Sequence, residues 1–119
     1  QAAGCAPLER AWNRSTGADS VAKVWAEAMT VWESPASLAD GILDDETYDW
    51  VGVVEAMRRN GGLPVVASEA EIKSAHRLAH EAGFNVSPTG SAGLAGLLAM
   101  RDDIAANENV VVVVSGVTR

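Results

Sequence analysis

The stretch Ser87-Pro88-Thr89-Gly90-Ser91-Ala92 sets hydroxyl side chains and a glycine directly before an apolar helix. A hydroxyl at such a place can accept a hydrogen bond from an orphan helix N–H. It can also present its O–H to a group bound at the helix N-terminus. For Thr89 and Ser91 both readings stay open from the residues alone. Ser115-Gly116, directly after a run of valines, has the same character, because ligands of open α/β sheets sit beyond the carboxyl ends of strands. His76 and His80 stand four apart on one helix, the spacing of a zinc-binding pair. However, Arg77 follows His76 where a metalloprotease helix carries glutamate, and no Cys or acidic residue is evidently placed to complete a site. They are read as histidines at the edge of an amphipathic helix, and no metal is expected. Asp44, Asp45, Glu46 and Asp49 could bind a cation or act as acid and base. The favoured reading is a helix cap, with Asp45 or Glu46 at the positive helix end. Cys5 precedes a helix start, a setting that can lower a thiol pKa, yet no histidine is near in sequence. It is read as a small buried residue.

These residues need elements to position them. Pro7 suits the first turn of a helix, and Leu8, Ala11 and Trp12 give it an apolar stripe. A second helix is expected over Val21–Thr30, with Val21, Val24, Trp25 and Ala28 on one face. A short third is expected over Ala36–Gly41, and a longer one over Thr47–Arg59, closed by Gly61 and Gly62. Leu63–Ala67 reads as a strand. Ser68-Glu69-Ala70-Glu71 fits a capping box opening a helix whose inner stripe is Ile72, Ala75, Ala79 and Ala82, with Gly83 closing it. The last helix is expected from Gly90 to about Ala106. From Ala92 to Met100 it is apolar on every side, which predicts burial all round. Gly90, Gly93 and Gly96 recur every three residues and let another backbone come close. Val110–Val114, five valines without alternation, predicts a strand covered on both faces.

The order of elements reads as α/β: a partial parallel sheet flanked by helices, in a single domain over residues 1–119. With 119 residues the chain is large enough for one domain and not two. It cannot itself supply every neighbour that an all-apolar helix and an all-valine strand require. Part of the covering layer is therefore expected from a further segment or another chain. Nine Lys and Arg against 16 Asp and Glu give a net charge of -7, which argues against electrostatic binding of nucleic acid or an anionic membrane. The apolar run Ala92–Met100 is too short to span a bilayer. One cysteine excludes an internal disulfide framework and suits a reducing, cytoplasmic setting.

Five segments in order resemble the C-terminal part of the fold-type-II pyridoxal-phosphate enzymes, the tryptophan-synthase-β-like superfamily, most of all threonine synthase and related lyases. They are Gln1–Leu8, Ser37–Ile42, Val66–Ile72, Pro88–Leu97 and Val110–Gly116. The resemblance implies pyridoxal 5'-phosphate as cofactor. It implies that the Thr89 hydroxyl bonds the pyridine nitrogen, with Ser115 as a second cofactor-binding residue near the same edge of the ring. A neutral hydroxyl leaves that nitrogen unprotonated, which suits elimination and replacement at the β or γ carbon of an amino-acid substrate. The family's Schiff-base lysine and glycine-rich phosphate loop lie upstream of the matching region. The only lysines here are Lys23 and Lys73, in ordinary helical settings, and Val117-Thr118-Arg119 departs from the glycine-containing tail of the family. The expectation is thus a C-terminal segment, without a catalytic residue of its own and inactive alone. Its parent would be a lyase or threonine-synthase-like enzyme, and its partners the rest of that chain and further copies in a homo-oligomer. An amino-acid dehydratase or ammonia-lyase of the same superfamily is the alternative enzyme. A non-catalytic α/β interaction module is the alternative class.

Overall fold

The structure, a computed structural model, describes residues 1–116, so the Val117–Arg119 tail lies outside the described residues. The described residues form helices α1 (Pro7–Arg14), α2 (Trp25–Ala28), α3 (Trp50–Asn60), α4 (Glu69–Glu81) and α5 (Ala92–Ala99). Single 3-10 turns occupy Val21–Val24, Asp40–Ile42 and Arg101–Asp103. No described helix is long and apolar enough to cross a membrane.

The helices with strong end signals form as expected. Pro7 opens α1 at a position whose N–H has no partner to lose, and Pro7, Leu8 and Ala11 are its buried face. Ser68 opens α4: its Oγ accepts from the Glu71 N–H at 3.3 Å, while Glu71 Oε2 accepts from the Ser68 N–H at 2.7 Å. Ile72, Ala75 and Ala79 are the buried stripe. Asp49 stands in the left-handed region at φ 52°, so α3 begins at Trp50 and not at Thr47. Gly61, at φ 72°, closes it.

Other expectations are corrected. The helix over Val21–Thr30 is a 3-10 turn followed by one α turn. With three residues per turn in its first half, the expected stripe falls out of line. Val21 and Ala28 reach the core while Trp25 stays 60% exposed. Ala36–Gly41 supplies only the 3-10 turn at Asp40–Ile42.

The expected partial parallel sheet is not there. Among the described residues there is no strand, only two isolated bridges, Ala2 with Ala67 in parallel and Ala2 with Cys5 antiparallel. The Gln1 nitrogen donates to Val65 O at 2.6 Å, Ala67 N–H to Gln1 O at 2.8 Å, and Ala3 N–H to Ala67 O at 2.8 Å. This is the full extent of pairing between those segments. No backbone hydrogen bond joins Val110–Val114 to another described residue, and Val111 and Val113 are 89% and 75% exposed. A valine run favours β conformation, but a strand exists only where a neighbouring backbone accepts its hydrogen bonds. For the same reason α5 is not buried all round. Ala95 is its only buried residue, because one side packs on α4 and elsewhere the single Val112–Val113 segment approaches it, at Gly93, with only the Val65 side chain near Gly96.

Two apolar clusters hold the helices. The first joins Leu8 and Ala11 of α1, Val21, Ala28 and Met29, and Trp50 and Val54 of α3. Arg58 of α3 ties it shut by donating to Ser15 O at 2.7 Å and Ser15 Oγ at 3.0 Å, with its guanidinium over Trp12. The second joins Ala39, Ala67, Ile72 and Ala75 of α4, and Ala95 of α5. Mostly alanine, it gains its main apolar stabilisation from Ile72, whose full burial contributes about 1.5–3 kcal/mol. It also brings the Ser37–Ile42 segment against α4 and α5, beside the Ser87–Ser91 turn.

Candidate functional site

The turn before α5 is locked from within. Ser87 Oγ accepts from the Gly90 N–H at 3.0 Å. Ser91, fully buried, donates through Oγ toward Ser87 O at 3.3 Å and Pro88 O at 3.2 Å. Ser91 occupies the cap position of α5, yet its side chain makes no cap bond. Thr89 does not cap the helix either. Its Oγ1 accepts from the Gly41 N–H at 3.0 Å, 48 residues away. The helix-cap reading of both residues is therefore replaced by a turn that is self-satisfied and aims Thr89 outward. A hydroxyl has two lone pairs and one proton. With one lone pair taken by Gly41, the proton of Thr89 is still available to an acceptor.

Ser115 comes to the same turn through its backbone. Its N–H donates to Gly90 O at 3.0 Å, and the Ser87 N–H points to Gly116 O at 3.4 Å. A Cβ built on Gly90 would stand 2.0 Å from Ser115 O and 2.3 Å from Gly116 O. A Cβ on Gly93 would stand 2.8 Å from Val113 O. Of the three-residue glycine repeat, Gly90 and Gly93 admit the backbone of Val113–Gly116, while Gly96 meets only the Val65 side chain. Thr89 and Ser115 are thus brought together at Gly90. Ser115 is exposed and Thr89 half-buried.

Beside this turn opens an apolar cleft of about 810 Å³, lined among others by Gly41, Ile42, Val65, Gly93, Leu97 and Met100. Its polar lining is Gln1, Asp44 and Thr47, and Thr47 Oγ1 is buried without a hydrogen-bond partner. Lys23 and Lys73 are exposed and do not line the cleft, and neither does any arginine. Neither Thr89 nor Ser115 lines the cleft; Thr89 borders it only through Gly41, whose N–H its Oγ1 accepts, so what this side offers a pyridoxal phosphate is one neutral O–H next to the cleft. The side chains of the described cleft residues offer no cation for a phosphate and no amine for an aldehyde, so the covalent and phosphate ends of the cofactor do not fit them.

The remaining candidates make contacts within the fold. The His76 and His80 rings meet edge to face at 4.5 Å, and His80 Nε2 lies 2.9 Å from Val86 O. No group of three or more metal-ligating side chains occurs among the described residues. Neither Asp45 nor Glu46 caps α3. The cap position is Asp49, whose side chain makes no cap bond. Asp45 Oδ1 instead accepts from the Glu46 N–H, and Asp45 O from the Trp32 N–H. Cys5 is fully buried and its Sγ donates to Asp44 O at 3.1 Å. Burial first, then the nearby Asp44 and Asp45 charges, push its thiol pKa up and not down.

Sequence reasoning missed the Gly41 N–H as the partner of Thr89. The only available signal was the Ser37–Ile42 segment, which carried a family resemblance without a role. The family model of pyridoxal-phosphate dependent enzymes matches residues 1–116. Neither the curated proteins nor the solved structures give a significant match. With nearly its whole length matched, the chain belongs to the pyridoxal-phosphate dependent enzyme family.

Proposed function

We propose that these residues are the C-terminal part of the cofactor-binding domain of a lyase or threonine-synthase-like enzyme. It would act on an amino-acid substrate by elimination or replacement. The observation that carries this reading is the Thr89–Gly41 hydrogen bond. It fixes a neutral hydroxyl, the one that the family resemblance assigns to the ring nitrogen, and that supports the reading. Bound cofactor supplies the electron sink for chemistry at the substrate's carbons. What this chain's residues contribute is orientation: Thr89 bonds one edge of the ring, Ser115 lies beside it, and the apolar cleft excludes water. The lysine and the phosphate site come from polypeptide beyond these residues, which also covers Leu97, Met100 and the exposed valines. A soluble homo-oligomer of the cytoplasm completes the proposal, in keeping with the single buried thiol.

The test uses the full gene product loaded with pyridoxal phosphate. Thr89→Ser keeps a donor hydroxyl and is expected to retain both turnover and the visible spectrum. Thr89→Asp places a carboxylate at the ring nitrogen, favours its protonation, and is expected to shift the spectrum and lower turnover. An Asp variant with unchanged rate and spectrum overturns the role of Thr89.

A further inference from the structure

We propose that Glu69 is a positioning residue that holds the Gly41 N–H where Thr89 receives it. Glu69 is the first residue of α4, and its backbone is fixed by the capping box that Ser68 and Glu71 close around it. Its side chain turns away from the helix to the Ser37–Ile42 segment. Oε2 accepts from the Leu38 N–H at 3.1 Å, across 31 residues of sequence. Ser37 stands beside the same carboxylate and accepts from the Ala39 N–H at 3.1 Å. Ala39 is fully buried in the second apolar cluster. Its carbonyl accepts from Ile42 at 3.1 Å and that of Asp40 from Leu43 at 3.2 Å, which makes the 3-10 turn. That turn presents the Gly41 N–H to Thr89 Oγ1 at 3.0 Å. One carboxylate thus anchors the start of a short segment whose far end aims the candidate cofactor-binding hydroxyl.

The charge of Glu69 is kept for this contact. Ser37 first, then the Leu38 N–H, hold its carboxyl below the usual carboxylate range, so it is ionised at neutral pH. Glu69 Oε1 is buried with no hydrogen-bond partner. A carboxylate serving only the helix dipole would stand in water at the helix end. This one faces the segment.

The link from Glu69 to Gly41 is a property of the protein without cofactor. Its consequence for catalysis rests on the reading of Thr89 given above. The full gene product, free of cofactor, is followed by amide hydrogen exchange. Glu69→Ala is expected to speed exchange at Gly41 and Leu38 by about tenfold while leaving the middle of α4, Ala75 to Ala79, at its wild-type rate. Glu69→Gln keeps an oxygen to accept from Leu38 and is expected to restore most of the protection. Exchange at Gly41 unchanged in Glu69→Ala, or speeded only in the first turn of α4, overturns the proposal. Should Glu69→Ala weaken the whole fold, Ser37→Ala provides the same reading, since it removes the acceptor for Ala39 and the hydroxyl beside the Glu69 carboxylate while changing no residue of α4. Faster Gly41 exchange in Ser37→Ala then supports the link, and wild-type exchange overturns it. The spectrum of the cofactor-loaded variants separates the two claims. Faster Gly41 exchange with an altered spectrum supports both. Faster exchange with an unaltered spectrum supports the positioning role and overturns Thr89 as the partner of the ring.

Discussion

Replacing Gly90 with alanine adds one methyl where two carbonyl oxygens already stand. The new Cβ would meet Ser115 O at 2.0 Å and Gly116 O at 2.3 Å, whereas ordinary contact begins at 3.4 Å. Both neighbours are backbone, so no side chain can swing aside, and the Ser115–Gly116 segment has to retreat by about 1 Å or more. The Ser115 N–H to Gly90 O bond, now 3.0 Å, would then exceed hydrogen-bond length. Its loss and that of the longer Ser87–Gly116 bond each cost about 1 kcal/mol. Alanine returns about 0.4–1 kcal/mol by restricting the unfolded chain. The net expectation is destabilisation by about 1–1.6 kcal/mol. Gly52 provides the matched control. It sits exposed inside α3 with nothing within 4 Å of a built Cβ, so Gly52→Ala is expected to stabilise by about 0.5–1 kcal/mol. Urea unfolding with unchanged slope measures both, and each 1 kcal/mol corresponds to roughly 4 °C in Tm. If Gly90→Ala is as stable as wild type, or gains as Gly52→Ala does, the close seating of the Val113–Gly116 backbone on α5 is wrong.

The buried Cys5 thiol, raised in pKa by desolvation, is expected to resist alkylation at pH 8 in the folded protein and to react only as fast as the chain opens; rapid stoichiometric labelling refutes this. The Glu71 carboxyl is held below its usual range by the Ser68 N–H first and the Ser68 hydroxyl second. A depressed folded value means that its contribution to stability is fully present above the unfolded pKa of about 4.3 and is lost as pH falls through the folded value. The Tm difference between wild type and Glu71→Gln is therefore expected to shrink as pH is lowered across that window; a difference that grows on acidification contradicts the capping box. Ser68→Ala is expected to cost about 1 kcal/mol at pH 7, read by thermal unfolding, and a variant as stable as wild type would count against the same cap.

The sequence made some of this legible, and the division follows the range of the interactions. Pro7, the Ser68–Glu71 box and Gly61 act within four residues of themselves, so α1, α4 and the end of α3 could be read directly. The close approach at Gly90 and Gly93 was legible as a spacing, although not which backbone would use it. The partner of Thr89 was not legible: Gly41 is 48 residues away, and nothing local distinguishes a capping hydroxyl from one that reaches across the fold. The valines and α5 misled for a related reason. Apolar composition records that a surface suits burial, but says nothing of whether these 116 residues supply the cover. Without neighbouring backbone the valines form no ladder, and the α/β sheet does not arise.

The pairing of Gln1–Ala3 with Val65–Ala67 also constrains the order in which the chain can be built. At about 5–20 residues per second, ribosomal synthesis separates Ala2 from Ala67 by roughly 3–13 s. Throughout that interval Gln1 and Ala3 lack the Val65–Ala67 backbone groups with which they pair in the fold. Leu8 and Ala11 meanwhile wait for Trp50 and Val54 before their face can close. The α1–α3 cluster is thus complete in sequence before the N-terminal segment can dock. Codons that slow translation between residues 12 and 50 would lengthen exposure of the α1 stripe and raise the demand on chaperones. Slowing after residue 67 would not extend the wait of the α1–α3 cluster, whose residues are by then all made.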